Sequence, residues 1–243
     1  MMSNITRKAL LIGNSNVEPA LAGVEKDIKR YKDYLLSNYG GAWEKEEIII
    51  SLNENTSEII LKKEELVGVD YAFVLISGHG EHRKDQTGNS ETFFWFSNKH
   101  AESVKKYFPK VTRSVIVIDV CRELRVIKSL SEDHLMEYAT CTASRKMSRE
   151  ECRKIFDNHV MSCPESRIVL YSCGIGQGAG DDGTGGIFSV ALLNSFERND
   201  RGNVINIFNA FQSAKTITVK NNYPQTPTIA TGREREFFPF GIS

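Results

Sequence analysis

Two short, uncharged runs that lead directly into polar segments place the strongest constraint on how this chain can fold. The run Tyr71–Ile76 leads into a Ser-Gly-His-Gly segment that contains His79, and the run Ser114–Ile118 leads into an Asp-Val-Cys segment that contains Cys121. Runs of this length, rich in valine and isoleucine, predict strands buried on both faces of a parallel sheet. Because α/β proteins place their chemistry at the carboxyl ends of such strands, the sequence predicts a histidine and a cysteine at one edge of a sheet.

Segments typical of strands alternate with segments typical of helices along the chain. The predicted strands cover 8–12, 47–52, 71–76, 114–118, 167–173 and 226–230, with a small hairpin around 92–97. The predicted helices cover 21–35, 56–67, 149–160, 186–196 and 204–219. This alternation predicts an α/β fold with a mostly parallel six-stranded sheet and helices on both faces. No internal repeat or low-complexity linker interrupts it, so residues 1–243 are expected to form a single domain.

The composition excludes several classes of function. The chain has 31 Lys and Arg and 31 Asp and Glu residues, so no net charge draws it to nucleic acid or to an anionic membrane. No run approaches the ~18 apolar residues of a membrane span, and the N-terminus lacks the apolar core of a signal peptide. The five cysteines include no Cys-x-x-Cys pair, so neither a disulfide framework nor a zinc site is predicted. We therefore expect a cytoplasmic protein whose thiols stay reduced.

A histidine and a cysteine on neighbouring strands predict a hydrolase dyad, in which a base activates a thiol nucleophile. Taken alone, a cysteine at the end of a buried strand is more often a small core residue. His82 is the rival base, but it lies in a charged stretch that indicates a solvated loop, whereas glycines flank His79 on both sides. A metal site formed by His79, His82 and Cys121 is not favoured, because no fourth ligand has suitable spacing.

The glycine-dense segment 174–186 contains a literal Gly-x-Gly-x-x-Gly match. A dinucleotide site would require this loop after an early strand, with an acidic residue about 20 positions later. Here the loop comes late in the chain, and Asp181 and Asp182 would repel a pyrophosphate. We interpret the segment as a flexible wall of a cleft.

The order of these motifs resembles that of the caspase-type cysteine peptidases, in the branch of metacaspases and bacterial caspase-like proteins. The segments that carry the resemblance are 9–13, 21–23 with Asp27, 77–80, 119–122, 186–193 and 224–227. In the caspase signature, Gln-Ala-Cys is followed by Arg, Gln or Gly and then Gly. Here Asp119 replaces the glutamine, Glu123 replaces the final glycine, and Arg122 stands where metacaspases usually carry histidine. The resemblance implies a three-layer caspase-like sandwich.

The resemblance also implies the parts of a peptidase site. Cys121 would be the nucleophile and His79 the proton shuttle, and the backbone N–H groups of Gly80 and Cys121 would hold the developing oxyanion. Glycine beside the histidine would let the backbone approach a substrate without a side chain in the way.

A substrate pocket follows from the same resemblance. In metacaspases the matches of Asp27, Ser77 and Asp119 line a pocket for the Arg or Lys side chain that precedes the cleaved bond. Two carboxylates repel an acidic side chain and attract a guanidinium, so we expect cleavage after Arg, then Lys, and not after Asp. The alternative for Asp27 is a solvent-facing position on an amphipathic helix.

The expected partner is a polypeptide substrate, with an activating protein partner and neither nucleic acid nor membrane. No cofactor is expected. Calcium, which some metacaspases require, receives little weight because the acidic residues are scattered, with 132–133 and 181–182 as the candidate loop pairs. Pro224 and Pro227 near the last strand favour a monomer.

Family analogy implies regulated proteolysis, by a cell-death or antiviral defence effector. Self-cleavage at Arg145 or Lys146 would match the expected specificity and free the mouth of the site. Two other functions stay open, namely a catalytically idle caspase-like module that binds or regulates partners, and a nucleotide-binding protein of flavodoxin-like shape. The presence of both His79 and Cys121 argues against the idle module, because inactive relatives usually lack one of the two.

Overall fold

The computed structural model describes residues 5–84, 89–123, 147–198, 201–220, 224–232 and 236–243. The strands are β1 (Arg7–Asn14), β2 (Ile48–Leu52), β3 (Tyr71–Gly78), β4 (Gly80–Lys84), β5 (Ser90–Ser97), β6 (His100–Ser103), β7 (Arg113–Val120), β8 (Ser166–Tyr171), β9 (Val204–Asn206), β10 (Thr228–Ala230) and β11 (Pro239–Ile242). The helices are α1 (Ala22–Leu36), α2 (Thr56–Glu64), α3 (Arg149–Ser162), α4 (Ile187–Leu193) and α5 (Ile207–Lys220), with short 3-10 helices at Lys45–Glu47 and Val104–Tyr107.

The central sheet has six strands in the order β10-β8-β7-β3-β1-β2. All neighbours pair in parallel except β10, which pairs antiparallel with β8 at one edge. The prediction of a mostly parallel six-stranded sheet is confirmed. After β2 the chain returns to the other side of β1, so the strand order reverses between β1 and β3. In open α/β sheets, the crevice at the carboxyl ends of the strands at such a reversal is where ligands bind.

Each face of the sheet carries its own hydrophobic cluster, because side chains alternate between the two faces along a strand. Val117 belongs to the first cluster, whereas its neighbours Ile116 and Ile118 belong to the second. The first cluster is covered by α1, α3, α4 and α5, and the second by α2, β5 and the 3-10 helix Val104–Tyr107. The predicted helices on both faces are therefore present. Within the described ranges, no helix combines the length and apolarity that a membrane crossing would need.

The predicted helix over 204–219 is wrong at its start. Val204–Asn206 forms β9, which pairs antiparallel with β11, and the helix begins at Ile207. The three residues Val-Ile-Asn are too few to distinguish a strand from a helical turn, and the pairing partner lies at the far end of the chain. The predicted hairpin around 92–97 is larger than expected, because β4, β5 and β6 form a three-stranded antiparallel sheet directly after His79.

A buried arginine fixes the amino end of β1 against α3. The Arg7 side chain is fully enclosed, and its Nη1 donates to Asp157 Oδ1 at 2.7 Å. Its Nη2 donates to the carbonyl oxygen of Gly41 at 2.7 Å, and its Cζ lies 4.5 Å from the centre of the Trp43 ring. Burial lowers the pKa of Arg7, and the nearby carboxylates of Asp157 and Glu47 oppose that shift. Removing such a partner from a buried carboxylate strongly destabilises the folded protein.

We predict that Arg7→Met lowers the free energy of unfolding by about 3–5 kcal/mol, because it removes the hydrogen-bonded cation of Asp157 and leaves only Arg153, whose Nε lies 3.7 Å from the other carboxylate oxygen. Urea denaturation followed by circular dichroism measures the change. Lys29→Met, which breaks the exposed Lys29–Asp33 pair on α1, is the control and should change stability by well under 1 kcal/mol. Equal losses in the two variants would contradict the assigned role of Arg7.

Candidate active site

The register between β3 and β7 determines which side chains meet at the edge of the sheet. Ser77 pairs with Asp119, and Gly78 pairs with Val120. His79 and Cys121 are the next residues on the two strands, so they leave the sheet side by side. Because alternate residues of a strand face the same way, the register puts Ser77 and Asp119 on one face of the sheet. His79 lies two positions after Ser77, and Cys121 lies two positions after Asp119.

The His79 ring is oriented by a backbone carbonyl that the sequence analysis did not single out. His79 Nε2 lies 2.7 Å from the carbonyl oxygen of Pro19, which follows β1. A carbonyl oxygen only accepts, so Nε2 carries the hydrogen, and in the neutral ring Nδ1 is left as the proton acceptor. The Trp95 N–H donates to the His79 carbonyl oxygen at 3.0 Å and fixes the backbone at this point. An imidazole held in this way, with Nδ1 left as an acceptor, has the orientation that a general base would need.

Cys121 is partly buried beneath the loop that follows β8. The Ala179 N–H donates to Cys121 Sγ at 3.3 Å, and the thiol faces the Ala179 carbonyl oxygen at 3.7 Å. Burial raises the pKa of the Cys121 thiol, and the carboxylates of Glu123 and Asp119 raise it further. The resting thiol is therefore protonated at neutral pH, and a base must remove its proton for it to attack.

Gly80 has no room for a side chain. A Cβ built on it would lie 2.6 Å from both the Phe93 carbonyl oxygen and Val120 Cγ2. Gly78, with φ +149°, adopts a backbone conformation that other residues rarely reach. The chain on either side of His79 is thus restricted to glycine by contact at one position and by backbone conformation at the other.

Two buried carboxylates lie on the α1 and α4 side of this edge. Asp27 and Asp119 are 1% and 5% exposed. Asp27 Oδ2 accepts from the Gly186 N–H at 2.9 Å and from Ser77 Oγ at 3.3 Å. Asp119 Oδ2 accepts from both the hydroxyl and the backbone N–H of Ser189. The solvent-facing alternative for Asp27 is wrong, because α1 turns this residue towards the sheet.

The two carboxylates both lie against Gly186. A Cβ built on Gly186 would lie 2.2 Å from Asp119 Oδ2 and 3.1 Å from Asp27 Oδ2. Burial raises the pKa of each carboxyl, and the charge of Asp119 raises that of Asp27 further. Asp27 Oδ1 is buried without a hydrogen-bond donor among the described residues, and Arg30 Nη1 lies 4.0 Å from it. A buried carboxylate oxygen in this state favours an additional cationic donor.

His82, the rival base, lies inside the protein and not in the solvated loop predicted for it. It is 4% exposed on β4, and its Nδ1 lies 3.1 Å from Thr92 Oγ1. Burial lowers the pKa of His82, and the neighbouring guanidinium of Arg122 lowers it further. His82 is therefore a buried residue of β4, whereas His79 directly follows β3 and Cys121 directly follows the neighbouring strand β7.

The glycine-dense segment 174–186 does form a wall of this site. It supplies Ala179 to the cysteine and Gly186 to the carboxylate pair. The side chains of Asp181 and Asp182 accept from the backbone N–H groups of Gly183 and Thr184 in the same loop. In the part of the chain that the structure describes, no three His, Cys, Asp or Glu side chains are grouped so that they could hold a metal ion. The predicted self-cleavage positions, Arg145 and Lys146, and the acidic pair 132–133 lie outside the described residues.

Comparison with known proteins identifies the family. The profile of the caspase domain family matches residues 6–238. The chain therefore belongs to the caspase domain family, whose members are cysteine-type peptidases that act on polypeptides. The crystal structure of caspase-1 from Spodoptera frugiperda superposes with a TM-score of 0.60 at 12% sequence identity, over 99% of this chain and 92% of that chain. This likeness confirms the caspase-like fold. No curated protein sequence matches the chain.

We predict that alkylation of Cys121 by iodoacetamide increases with pH to a midpoint above that of an ordinary thiol, because burial and two carboxylates oppose ionisation. Glu123→Gln removes one of these negative charges and should lower the midpoint. Mass spectrometry of the peptide that contains Cys121 measures the rate at each pH. Glu165→Gln, a change at the amino end of β8, is the control, and a midpoint that Glu123→Gln leaves unchanged would contradict the charge effect.

Proposed function

We propose that this chain is a cysteine endopeptidase in which Cys121 is the nucleophile and His79 the proton shuttle, and that it cleaves after Arg and, less efficiently, after Lys. The observation that carries the proposal is the β3–β7 register, which pairs Ser77 with Asp119 and so brings the histidine and the cysteine to adjacent strand ends. Membership of the caspase domain family supports the same reaction.

The chemistry follows from the protonation of the two groups. As the Cys121 sulfur attacks the carbonyl carbon of the scissile bond, the thiol proton passes to Nδ1 of His79, which the Pro19 carbonyl keeps unprotonated in the neutral ring. A carbon–sulfur bond forms, and the oxygen becomes an oxyanion facing the backbone N–H groups of Gly80 and Cys121. The carbon–nitrogen bond then breaks, His79 returns the proton to the leaving amine, and water hydrolyses the acyl-enzyme.

The basic specificity is supported by the carboxylate pair. The guanidinium of a substrate arginine carries several donors in one plane, so it can reach Asp27 Oδ1 while its charge offsets the repulsion between Asp27 and Asp119. An aspartate side chain in the same place would add a third negative charge to two buried carboxyls. Lysine supplies the charge but a single point of donation, which explains the expected order of Arg before Lys.

Substrate entry requires the loop 174–186 to move away from the site. The Ala179 N–H donates to the Cys121 sulfur and its carbonyl oxygen faces the thiol, and Gly186 packs against both carboxylates. A peptide must therefore displace Ala179 before its carbonyl carbon reaches the sulfur. We propose that this opening is the step on which an activating partner or self-cleavage near residues 145–146 acts.

We further propose a cytoplasmic, monomeric enzyme in regulated proteolysis, with a cell-death or defence role by analogy with its family. No cofactor enters the proposed chemistry. Calcium dependence is tested directly by adding the ion or a chelator to the peptidase assay described next.

We predict that the protein hydrolyses fluorogenic peptides ending in Arg faster than those ending in Lys, and does not hydrolyse those ending in Asp. Cys121→Ala should abolish turnover. Asp27→Asn should lower kcat/KM for the Arg peptide about 30-fold or more, because a buried charge pair with the substrate loses one partner. Asp33→Asn, an exposed carboxylate of the same helix, is the matched control and should leave kcat/KM unchanged.

Faster turnover of the Asp peptide would contradict the proposed specificity. Turnover that survives Cys121→Ala would contradict the nucleophile. A protein that cleaves none of the peptides, even with calcium, and whose Cys121 is not labelled by a peptidyl-arginine chloromethyl ketone would be the idle binding module.

A further inference from the structure

The residue directly after the proposed nucleophile is a buried cation whose interactions reach four separate parts of the site. Arg122 is 7% exposed. Its Nε donates to Thr92 Oγ1 of β5 at 3.1 Å, and its Nη1 donates to the Cys173 carbonyl oxygen at 3.1 Å. The same Nη1 lies 3.4 Å from Thr228 Oγ1 of β10, and Cζ lies 4.1 Å from the centre of the Tyr171 ring.

The backbone of Arg122 is held as firmly as its side chain. Its N–H donates to the Gln177 carbonyl oxygen at 2.9 Å, and its carbonyl oxygen accepts from the Gly176 N–H at 2.8 Å. The residue after it is also fixed, since the His82 N–H donates to the Glu123 carbonyl oxygen at 3.1 Å. The peptide unit between Cys121 and Arg122 therefore lies at the meeting point of β4, β5, β8, β10 and the loop after β8.

Packing alone does not explain the buried guanidinium of Arg122, because burying a charge costs free energy. Among the described residues, no carboxylate lies within ion-pair distance of it, and burial lowers the pKa of Arg122. A methionine of similar length would fill the space against Tyr171 without the free energy of desolvating a charge. What methionine could not supply is a rigid, planar set of donors that bonds Thr92, Cys173 and Thr228 at the same time.

Electrostatic activation of the thiol does not explain the residue either. The groups that shift the pKa of Cys121 are Glu123, Asp119 and the Ala179 N–H, in addition to burial, and Arg122 is not among them. Its guanidinium points to β5 and β10, whereas the sulfur lies under Ala179.

We infer that Arg122 is a positioning residue for the peptidase reaction, whose guanidinium fixes the direction of the Cys121 sulfur and backbone N–H relative to His79 and the cleft loops. The inference rests on the proposed function, because it assigns Cys121 as the nucleophile and its N–H as an oxyanion donor. A displacement of about 1 Å at a reacting group can reduce the rate about 100-fold, so the expected effect lies in kcat and not in substrate binding.

The test compares Arg122→Lys and Arg122→Met with wild type on the Arg peptide. Both should lower kcat about 100-fold with KM nearly unchanged, and the pH midpoint of Cys121 alkylation should stay at the wild-type value. Lysine keeps the charge and loses the planar donors, so a fully active Arg122→Lys would overturn the inference in favour of a charge effect. A midpoint that moves in Arg122→Met but not in Arg122→Lys would overturn it in the same way.

Milder variants keep the test valid if the arginine substitutions do not fold. Thr92→Val and Thr228→Val each remove one acceptor and keep the β-branched shape, and each should lower kcat about fivefold. Unchanged kcat in both would overturn the inference. Arg167→Met is the control, since Arg167 also bonds a carbonyl oxygen, that of Pro109, and lies over an aromatic ring, but at the amino end of β8.

Different results would contradict the proposed function and the role inferred for Arg122. A wild type without Cys121-dependent turnover contradicts the proposed function and with it this inference. A wild type that cleaves the Arg peptide, together with variants of Arg122 that cleave it equally well, contradicts the inference alone.

Discussion

The parallel register between β3 and β7 is the constraint on which the rest of the site depends. A slip of one residue would move every side chain of a strand to the opposite face of the sheet. It would bury His79 or Cys121 where Val120 now packs in the second core cluster, and it would separate Ser77 from Asp119. The apolar interiors of both strands are fully enclosed, so the register is set by core packing well away from the polar ends. The same burial that stabilises the sheet therefore aligns the proposed dyad and the carboxylate pocket.

The carboxylate pair shows how the fold holds charges that a substrate would later use. Asp119 is satisfied on one oxygen by Ser189 at the start of α4, and Asp27 is satisfied on one oxygen by Ser77 and Gly186. These donors are enough to keep both side chains inside the protein, but they leave Asp27 Oδ1 without a hydrogen bond among the described residues. The burial that raises the pKa of both groups also strengthens any interaction with an incoming cation, because the low-dielectric surroundings screen it weakly. A cost to stability in the free protein and the proposed selectivity for a basic side chain would thus both result from one arrangement.

The sequence alone predicted the features that depend on a local residue pattern. It did not predict the features that depend on contacts with backbone groups far away in the sequence. Apolar runs located the six strands of the main sheet, and the helix predicted over 149–160 is α3 (Arg149–Ser162). The structure pairs β9 with β11, orients His79 by the Pro19 carbonyl and places the Ala179 backbone at Cys121. These partners lie 33 to 60 residues apart in the chain, and backbone groups carry no residue-type signal. The prediction for His82 was wrong because its charged neighbours suggested solvent, whereas in β4 the adjacent residues Glu81 and His82 are both buried.

Arg122 and Asp27 are unusual in the same physical sense, since each is a buried charge without a close, hydrogen-bonded ion-pair partner among the described residues. Arg7 provides the contrast, because it is buried to the same degree at the other end of the sheet and bonds Asp157 directly. The fold can therefore pair a buried charge where the only requirement is stability. At the carboxyl ends of the strands it instead keeps a cation that bonds to neutral oxygens, and an anion with one buried oxygen that has no hydrogen-bond donor among the described residues. Such departures from the pairing rule are expected where an interaction completes only when substrate is present, or where geometry matters more than charge. The distribution of buried charges that lack a hydrogen-bonded ion-pair partner thus indicates the same edge of the sheet as the strand register does, and it does so without reference to the histidine or the cysteine.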